Sequence, residues 1–98
     1  MSRQYGKMEV RSALEKLGFE ERTRRGAHHR YIYRDSSGER RAGVSVPKGR
    51  GDLPKSTIAG IRQQMHLDRS QFDEAIRCPF GFDDYRKLVA DLVEQGEL

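Results

Sequence analysis

Two alternating segments joined by a short turn constrain the fold of this chain most. Residues 28–34 (HHRYIYR) are rich in aromatic and β-branched side chains, which is typical of a strand. Residues 40–46 (RRAGVSV) place small apolar side chains at every second position, so that one face is apolar. Between them, DSSG suits a tight turn, because Asp and Ser bond the nearby backbone and Gly tolerates positive φ. The sequence therefore predicts an antiparallel hairpin.

Helical patterns flank this hairpin on both sides. An i, i+3, i+4, i+7 spacing of apolar residues predicts a helix over 8–17, and Gly18 can supply its left-handed cap. A second helix is predicted over 54–66, where Pro54 suits the first turn and an apolar face follows. We expect a further strand over 19–25 and a loop over 48–55. The order α-β-β-β-α predicts an α+β fold with a three-stranded antiparallel sheet and two helices on one face.

The C-terminal third predicts two more helices and carries an acidic charge. The first begins near Asp68 or Ser70, either of which can serve as N-cap. The second has an apolar stripe of Phe82, Tyr85, Leu88, Val89 and Leu92. We therefore divide the chain into a core over 1–67, with 1–7 as a candidate upstream extension, and an acidic helical extension over 68–98. We expect the extension to pack on the core or on a second copy in a homodimer.

Composition limits the class of protein. With 98 residues, 35% of them hydrophobic and 35% charged, the chain can form one small domain with a thin core. No apolar run approaches 18 residues, so a membrane span or membrane partner is not expected. The single cysteine, Cys78, cannot form an internal disulfide, which suits a reducing compartment. The sequence thus favours a cytoplasmic protein.

Positive charge is concentrated in the middle of the chain. Residues 22–50 contain nine basic and two acidic residues, whereas residues 67–98 contain four basic and eight acidic ones. A basic patch raises the local concentration of a polyanion, and the arginine fork suits bidentate phosphate contacts. A solvated basic face of the sheet would explain the same charges equally well.

Adjacent histidines stand at the start of the second predicted strand. Alternation places His29 with Tyr31 and Tyr33 on one face, and His28 with Arg30 on the other. The histidines and the cysteine lack the recurring spacing of a zinc site, so we expect no metal and no cofactor. The two tyrosines could stack on unpaired RNA bases, but a core this thin favours packing them under the helices.

A histidine on a basic strand suits one kind of chemistry. Cleavage of RNA through its own 2′-hydroxyl needs a base, an acid for the leaving oxygen and cations near the phosphate. Histidine can serve as base or acid because its unperturbed pKa is about 6.5, and surrounding arginines would favour its base form. Two alternatives remain open on these grounds: a non-catalytic RNA-binding module, and an interaction protein whose basic face receives an acidic partner.

Four segments in order carry a resemblance to a known family. LEKLGF (14–19), RGAHHRYIY (25–33), GVSVP (43–47) and LPKSTIAGIRQQMHL (53–67) resemble the HicA family, toxins of bacterial HicA/HicB toxin–antitoxin pairs. The resemblance covers residues 8–67. It implies a shortened double-stranded-RNA-binding (dsRBD-like) fold, metal-independent endoribonuclease activity on mRNA, and a HicB-like antitoxin as partner.

The resemblance also assigns residues to the site. The family's catalytic histidine corresponds to His29. We expect RNA contacts from the surrounding basic segment and from the start of the second helix, namely Arg24, Arg25, Gly26, His28, Arg30, Lys48, Arg50 and Lys55. One departure is Ala27, where the family usually has a serine whose hydroxyl could contact phosphate or orient the histidine. We expect the antitoxin to cover His29 and to present carboxylates to Arg24, Arg25 and Arg30.

Overall fold

A computed structural model describes residues 5–23, 25–77 and 79–98 of the chain. The elements in order are β1 (Tyr5–Gly6), α1 (Lys7–Lys16), β2 (Glu20–Glu21), β3 (His28–Arg34), β4 (Arg40–Pro47), β5 (Asp52–Leu53), α2 (Lys55–Gln64), α3 (Arg69–Arg77) and α4 (Phe82–Glu94). Strands β2, β3 and β4 form an antiparallel sheet in that order, and β1 pairs with β5. The predicted α+β architecture with a three-stranded antiparallel sheet is confirmed.

The central hairpin agrees closely with the sequence prediction. Asp35 fixes the turn, since its Oδ1 accepts the backbone N–H of Ser37 at 2.9 Å and of Glu39 at 3.1 Å. Its Oδ2 accepts Arg41 Nε at 2.7 Å, and Gly38 has a φ of 84°. The Ser37 hydroxyl and the Arg41 guanidinium hold the pKa of Asp35 far below its ordinary value.

One face of the sheet is covered and the other is open. The covered face buries Tyr31, Tyr33, Ala42, Val44 and Val46, which belong to the core together with side chains of the helices. The prediction that the two tyrosines pack as core is therefore confirmed. On the open face Arg30 and Arg34 are exposed, and Ile32 between them is half-buried.

The expected strand over 19–25 is wrong in its extent. In the described part of the chain β2 contains only Glu20 and Glu21, although Arg22 adds one further bond by donating its N–H to Arg30 O. At the start of the strand, Phe19 belongs to the cap of α1. Gly18 takes a φ of 100°, and Phe19 N–H donates to Leu14 O at 3.0 Å, the bond that closes a left-handed helix cap. Phe19 thus belongs to the end of the helix, and its side chain is buried in the core.

The expected loop over 48–55 is also wrong in part. Tyr5 pairs with Leu53 and Gly6 with Asp52, so a short second sheet joins the start of α1 to the start of α2. The backbone N–H of Lys7 extends this pairing by donating to Gly51 O at 2.9 Å. Both helices therefore begin near one another.

The C-terminal helices pack on the rest of the chain. Asp68 is the N-cap of α3, since Asp68 Oδ1 accepts Gln71 N–H at 2.8 Å and Gln71 Oε1 accepts Asp68 N–H at 3.0 Å. Tyr85 of α4 packs against both Phe19 and Tyr33, with ring centroids at 5.3 and 4.8 Å, and those two rings also contact each other. Its hydroxyl donates to Met65 O at 2.9 Å.

Burial along the predicted stripe of α4 is uneven. Tyr85 and Val89 are buried, Leu88 and Leu92 are half-buried, and Phe82 is exposed. In α3, Phe72 and Ala75 join the same buried cluster as the sheet. No helix within the described ranges is both long enough and apolar enough to cross a bilayer.

Candidate active site

His29 lies on the covered face, near the end of the sheet where β3 begins. It pairs with Val46 of β4, whose side chain is fully buried, and the histidine side chain is 18% exposed. Its Nδ1 lies 3.0 Å from Glu21 Oε2, which is hydrogen-bonding distance. The imidazole thus stands at the margin of the core with one nitrogen held by a carboxylate.

Glu21 reaches this position through strand pairing. It stands opposite Tyr31 in the β2–β3 ladder, so its side chain lies on the same covered face as His29. Its Oε2 also accepts the hydroxyl of Thr23, and its Oε1 lies 3.6 Å from Arg11 Nη2. The Thr23 hydroxyl, followed by the hydrogen bond to His29, lowers the pKa of Glu21 below its ordinary value.

Arg11 connects this carboxylate to the first helix. Its Nε donates to the Tyr31 hydroxyl at 2.9 Å, and its Nη2 approaches Glu21. Burial raises the pKa of Tyr31, whose ring is fully enclosed. The result is a series of interactions from α1 through β2 to His29 in β3.

The expected charge environment of His29 is corrected by this geometry. Among the described residues, the charged group that contacts the imidazole is the carboxylate of Glu21 rather than an arginine. Sequence reasoning missed Glu21, Arg11 and Thr23. The signal for Glu21 is available only once the pairing of β2 with β3 is known, because that register decides which face each glutamate occupies.

The second ring nitrogen of His29, Nε2, differs from Nδ1 in its hydrogen bonding. Nε2 has no hydrogen-bond partner anywhere in residues 5–23, 25–77 and 79–98. A neutral imidazole donates from one nitrogen and accepts at the other. The arrangement therefore holds one nitrogen and leaves the other available to a ligand.

Several of the predicted RNA-binding residues meet on the open side of the sheet. A groove of about 460 Å³ is lined by Arg25, Gly26, Ala27, His28, Arg30 and Ser45. Gly26 has a φ of 141°, which an L side chain rarely adopts. This groove and His29 lie on opposite faces, because His28 and His29 alternate along β3. Arg24 lies outside the described residues.

The remaining predicted RNA-binding residues lie near the same end of the sheet. Lys48 N–H donates to Ala27 O at 2.8 Å, and Lys7 Nζ donates to Lys48 O at 3.3 Å. Arg50 shares a groove of about 420 Å³ with residues 6–9, 51 and 52. Lys55 is the first residue of α2, whose first turn carries no acidic side chain. Lys48 and Arg50 thus follow β4 directly, at the end of the sheet where His29 stands.

The histidines do not gather into a metal site. Across the described part of the chain, no three His, Cys, Asp or Glu side chains lie close enough together to hold a metal ion. His66, the third histidine, bonds instead to Arg41 O at 2.9 Å and adopts a φ of 62° at the end of α2.

These features define a class of protein: a small dsRBD-like α+β domain with a histidine at one end of its sheet and a basic groove on the opposite face. The chain belongs to the HicA family, since the family model described as HicA toxin of bacterial toxin–antitoxin matches residues 8–67, more than half of the chain. It is therefore a toxin of a toxin–antitoxin system, which implies a cognate antitoxin as partner. Searches of curated proteins and of solved structures found no match.

Proposed function

We propose that this toxin is a metal-independent endoribonuclease that cleaves mRNA, with His29 as its catalytic residue. One observation carries the proposal: the imidazole is held through Nδ1 while Nε2 is unbonded by any described residue, at the end of the sheet where β4 leads into Lys48 and Arg50. A general base must reach the proton it removes, and an unengaged ring nitrogen meets that condition.

The reaction follows from the chemistry of RNA itself. His29 takes the proton of a ribose 2′-hydroxyl, and the 2′ oxygen attacks the adjacent phosphorus. The bond from phosphorus to the 5′ oxygen breaks, and the imidazolium gives its proton to that departing oxygen. The products are a 2′,3′-cyclic phosphate and a free 5′-hydroxyl, so the histidine is regenerated without any co-reactant.

Basic side chains supply the electrostatic part of this mechanism. Lys48, Arg50 and Lys55 lie toward the end of the sheet where His29 stands, and they can stabilise the negative charge that develops on the phosphate. Arg25, His28 and Arg30 line the open-face groove and can hold flanking phosphates of the same strand. RNA would then pass around the end of the sheet.

A second candidate is a non-catalytic RNA-binding module on the same fold. The observation that favours it is the basic groove, which lies on the face opposite His29 and could bind phosphates without any reaction. Such a module needs the arginines but not the histidine. The two candidates therefore differ in whether bound RNA is cleaved.

The proposed substrate and partner also indicate where the toxin acts and how it is inhibited. mRNA is a cytoplasmic substrate, so we place the toxin in the cytoplasm. Its antitoxin would be HicB-like and acidic where it meets the toxin. Because His29 and the Arg25–Arg30 groove lie on opposite faces, an antitoxin that masks both must wrap around the sheet end.

The proposal is tested by incubating the purified protein with a fluorescent RNA and with its matched 2′-deoxy oligonucleotide, both in EDTA. We expect the RNA to be cut into products with 2′,3′-cyclic phosphate ends and the DNA to remain intact. Binding of both strands without cleavage would favour the RNA-binding module. Cleavage of the DNA, or products with 3′-hydroxyl ends, would contradict the proposed chemistry.

A further inference from the structure

We propose that Glu21 is a positioning residue of the histidine site, which accepts the Nδ1 proton of His29 and leaves Nε2 as the nitrogen that reacts. This inference rests on the proposed function, because it assigns the tautomer of the same catalytic histidine. Membership of the family gives this glutamate no role, and neither does the sequence pattern.

The direction of the hydrogen bond follows from the chemistry of a carboxylate. An ionised carboxylate only accepts hydrogen bonds, so the Nδ1 atom 3.0 Å from Glu21 Oε2 must carry the proton. When the imidazole is neutral, its lone pair is then on Nε2. That nitrogen has no partner among the residues that the structure describes, so it is the one that can take a substrate proton.

Glu21 is itself held from two sides. Its Oε2 accepts the Thr23 hydroxyl as well as the imidazole, and its Oε1 faces Arg11 Nη2 at 3.6 Å. Arg11 is anchored in turn by the buried Tyr31 hydroxyl. The carboxylate therefore cannot rotate away from His29 without breaking interactions at both of its oxygens.

The charged groups around this carboxylate favour its ionised form. Arg11 of α1 faces it, and the Thr23 hydroxyl donates to it. The hydroxyl of Tyr31 in β3 accepts a hydrogen bond from Arg11 Nε at 2.9 Å. An ionised Glu21 also stabilises the imidazolium that forms when His29 takes up a proton, as the acidic member of a catalytic triad does.

The test is Glu21→Gln, with Glu20→Gln as the matched control. The two glutamates are adjacent in β2, but Glu20 lies on the other face, where its carboxylate bonds Arg22 at 3.0 Å. A glutamine amide can donate to Nδ1, which favours the opposite tautomer. The ¹⁵N chemical shifts of histidine-labelled protein report the tautomer directly, with no RNA present.

We expect wild type and Glu20→Gln to show a protonated Nδ1 and an unprotonated Nε2 for neutral His29, and Glu21→Gln to lose this preference. We also expect kcat for RNA cleavage to fall by roughly 10–100-fold in Glu21→Gln, by analogy with the loss seen when the hydrogen-bond partner of a metal-binding histidine is replaced. KM should change little, since the side chain faces away from the basic groove. Circular dichroism and thermal unfolding establish that each variant is folded.

Several outcomes would overturn the inference. A wild-type His29 protonated on Nε2, or a Glu21→Gln protein with an unchanged tautomer and kcat, would contradict it. If Glu21→Gln does not fold, Thr23→Val removes one hold on the same carboxylate and should weaken the tautomer preference in the same direction. An unchanged tautomer in a folded Thr23→Val protein would then count against the inference. The tautomer is measured without RNA, so its result is separate from whether His29 cleaves RNA at all.

Discussion

His28 and His29 are consecutive in β3, yet their side chains lie on opposite faces of the sheet. His29 pairs with the buried Val46 on the covered face, whereas His28 pairs with Pro47 and lines the open groove. The proposed catalysis and the proposed binding of flanking phosphates therefore fall on different sides of one strand. Substitutions on the two sides should have separable effects on RNA affinity and on the rate of cleavage.

The open-face groove should control RNA affinity. Reversing charge with Arg25→Glu and Arg30→Glu should weaken binding and reduce the slope of log affinity against log salt by about 0.7 for each phosphate that the protein no longer neutralises. The cleavage rate at saturating RNA should change little, because these side chains face away from His29. Arg34→Glu is the matched control, since Arg34 is on the same face at the far end of β3. A salt slope equal to that of wild type would mean that the groove does not bind phosphate.

Gly26 should be required for the backbone conformation of the segment that leads into β3. Its φ of 141° is strained for any L side chain, so Gly26→Ala should lower the free energy of unfolding by about 1–3 kcal/mol. Gly60→Ala is the control: Gly60 is inside α2, has open space where a Cβ would stand, and should gain about 0.5–1 kcal/mol. Chemical denaturation measures both values, and equal effects of the two substitutions would refute the strain at Gly26.

The extent of agreement between sequence and structure depends on how local each signal is. The two strands of the hairpin were predicted closely because their alternation and the DSSG turn act between near neighbours, whereas the register shift between Tyr33 and Arg34 was not predicted. The start of the short strand β2 was placed one residue too early because the cap of α1 includes Phe19, which depends on the backbone conformation at Gly18. The β1–β5 pair was missed because strands of two residues leave no periodic pattern. Their pairing depends on the tertiary fold, which brings residues 5–6 next to residues 52–53.

In the candidate site, too, features set by near neighbours could be predicted and features set by distant pairing could not. His29 could be assigned from a short motif, and its face from strand alternation. Its partners come from two other elements, so Glu21 depends on the β2–β3 register and Arg11 on how α1 lies across the sheet. Neither relationship is contained in the spacing of residues along the chain.

The C-terminal helices should act as part of the core. Tyr85→Phe removes a buried hydrogen bond to Met65 O, and we expect it to lower the free energy of unfolding by about 1–3 kcal/mol, because the carbonyl is left without that partner. Removal of residues 68–98 should destabilise the protein much more, since it also removes Phe72 and Val89 from the buried cluster. A truncated protein that cleaves RNA faster and melts at the wild-type temperature would show instead that these helices are inhibitory.

Acid should weaken the hairpin turn. The pKa of Asp35 is lowered in the folded protein, so this carboxylate contributes stability above its unfolded pKa and loses it as the pH falls through the folded value. The free energy of unfolding should therefore decline below about pH 4, where an unfolded Asp begins to take up protons. Asp35→Asn should be less stable near neutral pH and show a shallower decline in acid. Parallel pH profiles for the two proteins would contradict the assignment.

The most direct measurement of the central claim is the single-turnover rate of RNA cleavage by His29→Ala, compared with His28→Ala. We expect His29→Ala to keep its fold and its RNA affinity but to lose at least about 100-fold in rate, because general acid–base catalysis contributes about 10²–10⁴-fold. His28→Ala should retain most of its rate and bind RNA somewhat less tightly, since His28 only lines the groove. A folded His29→Ala protein that cleaves RNA at the wild-type rate would contradict the account.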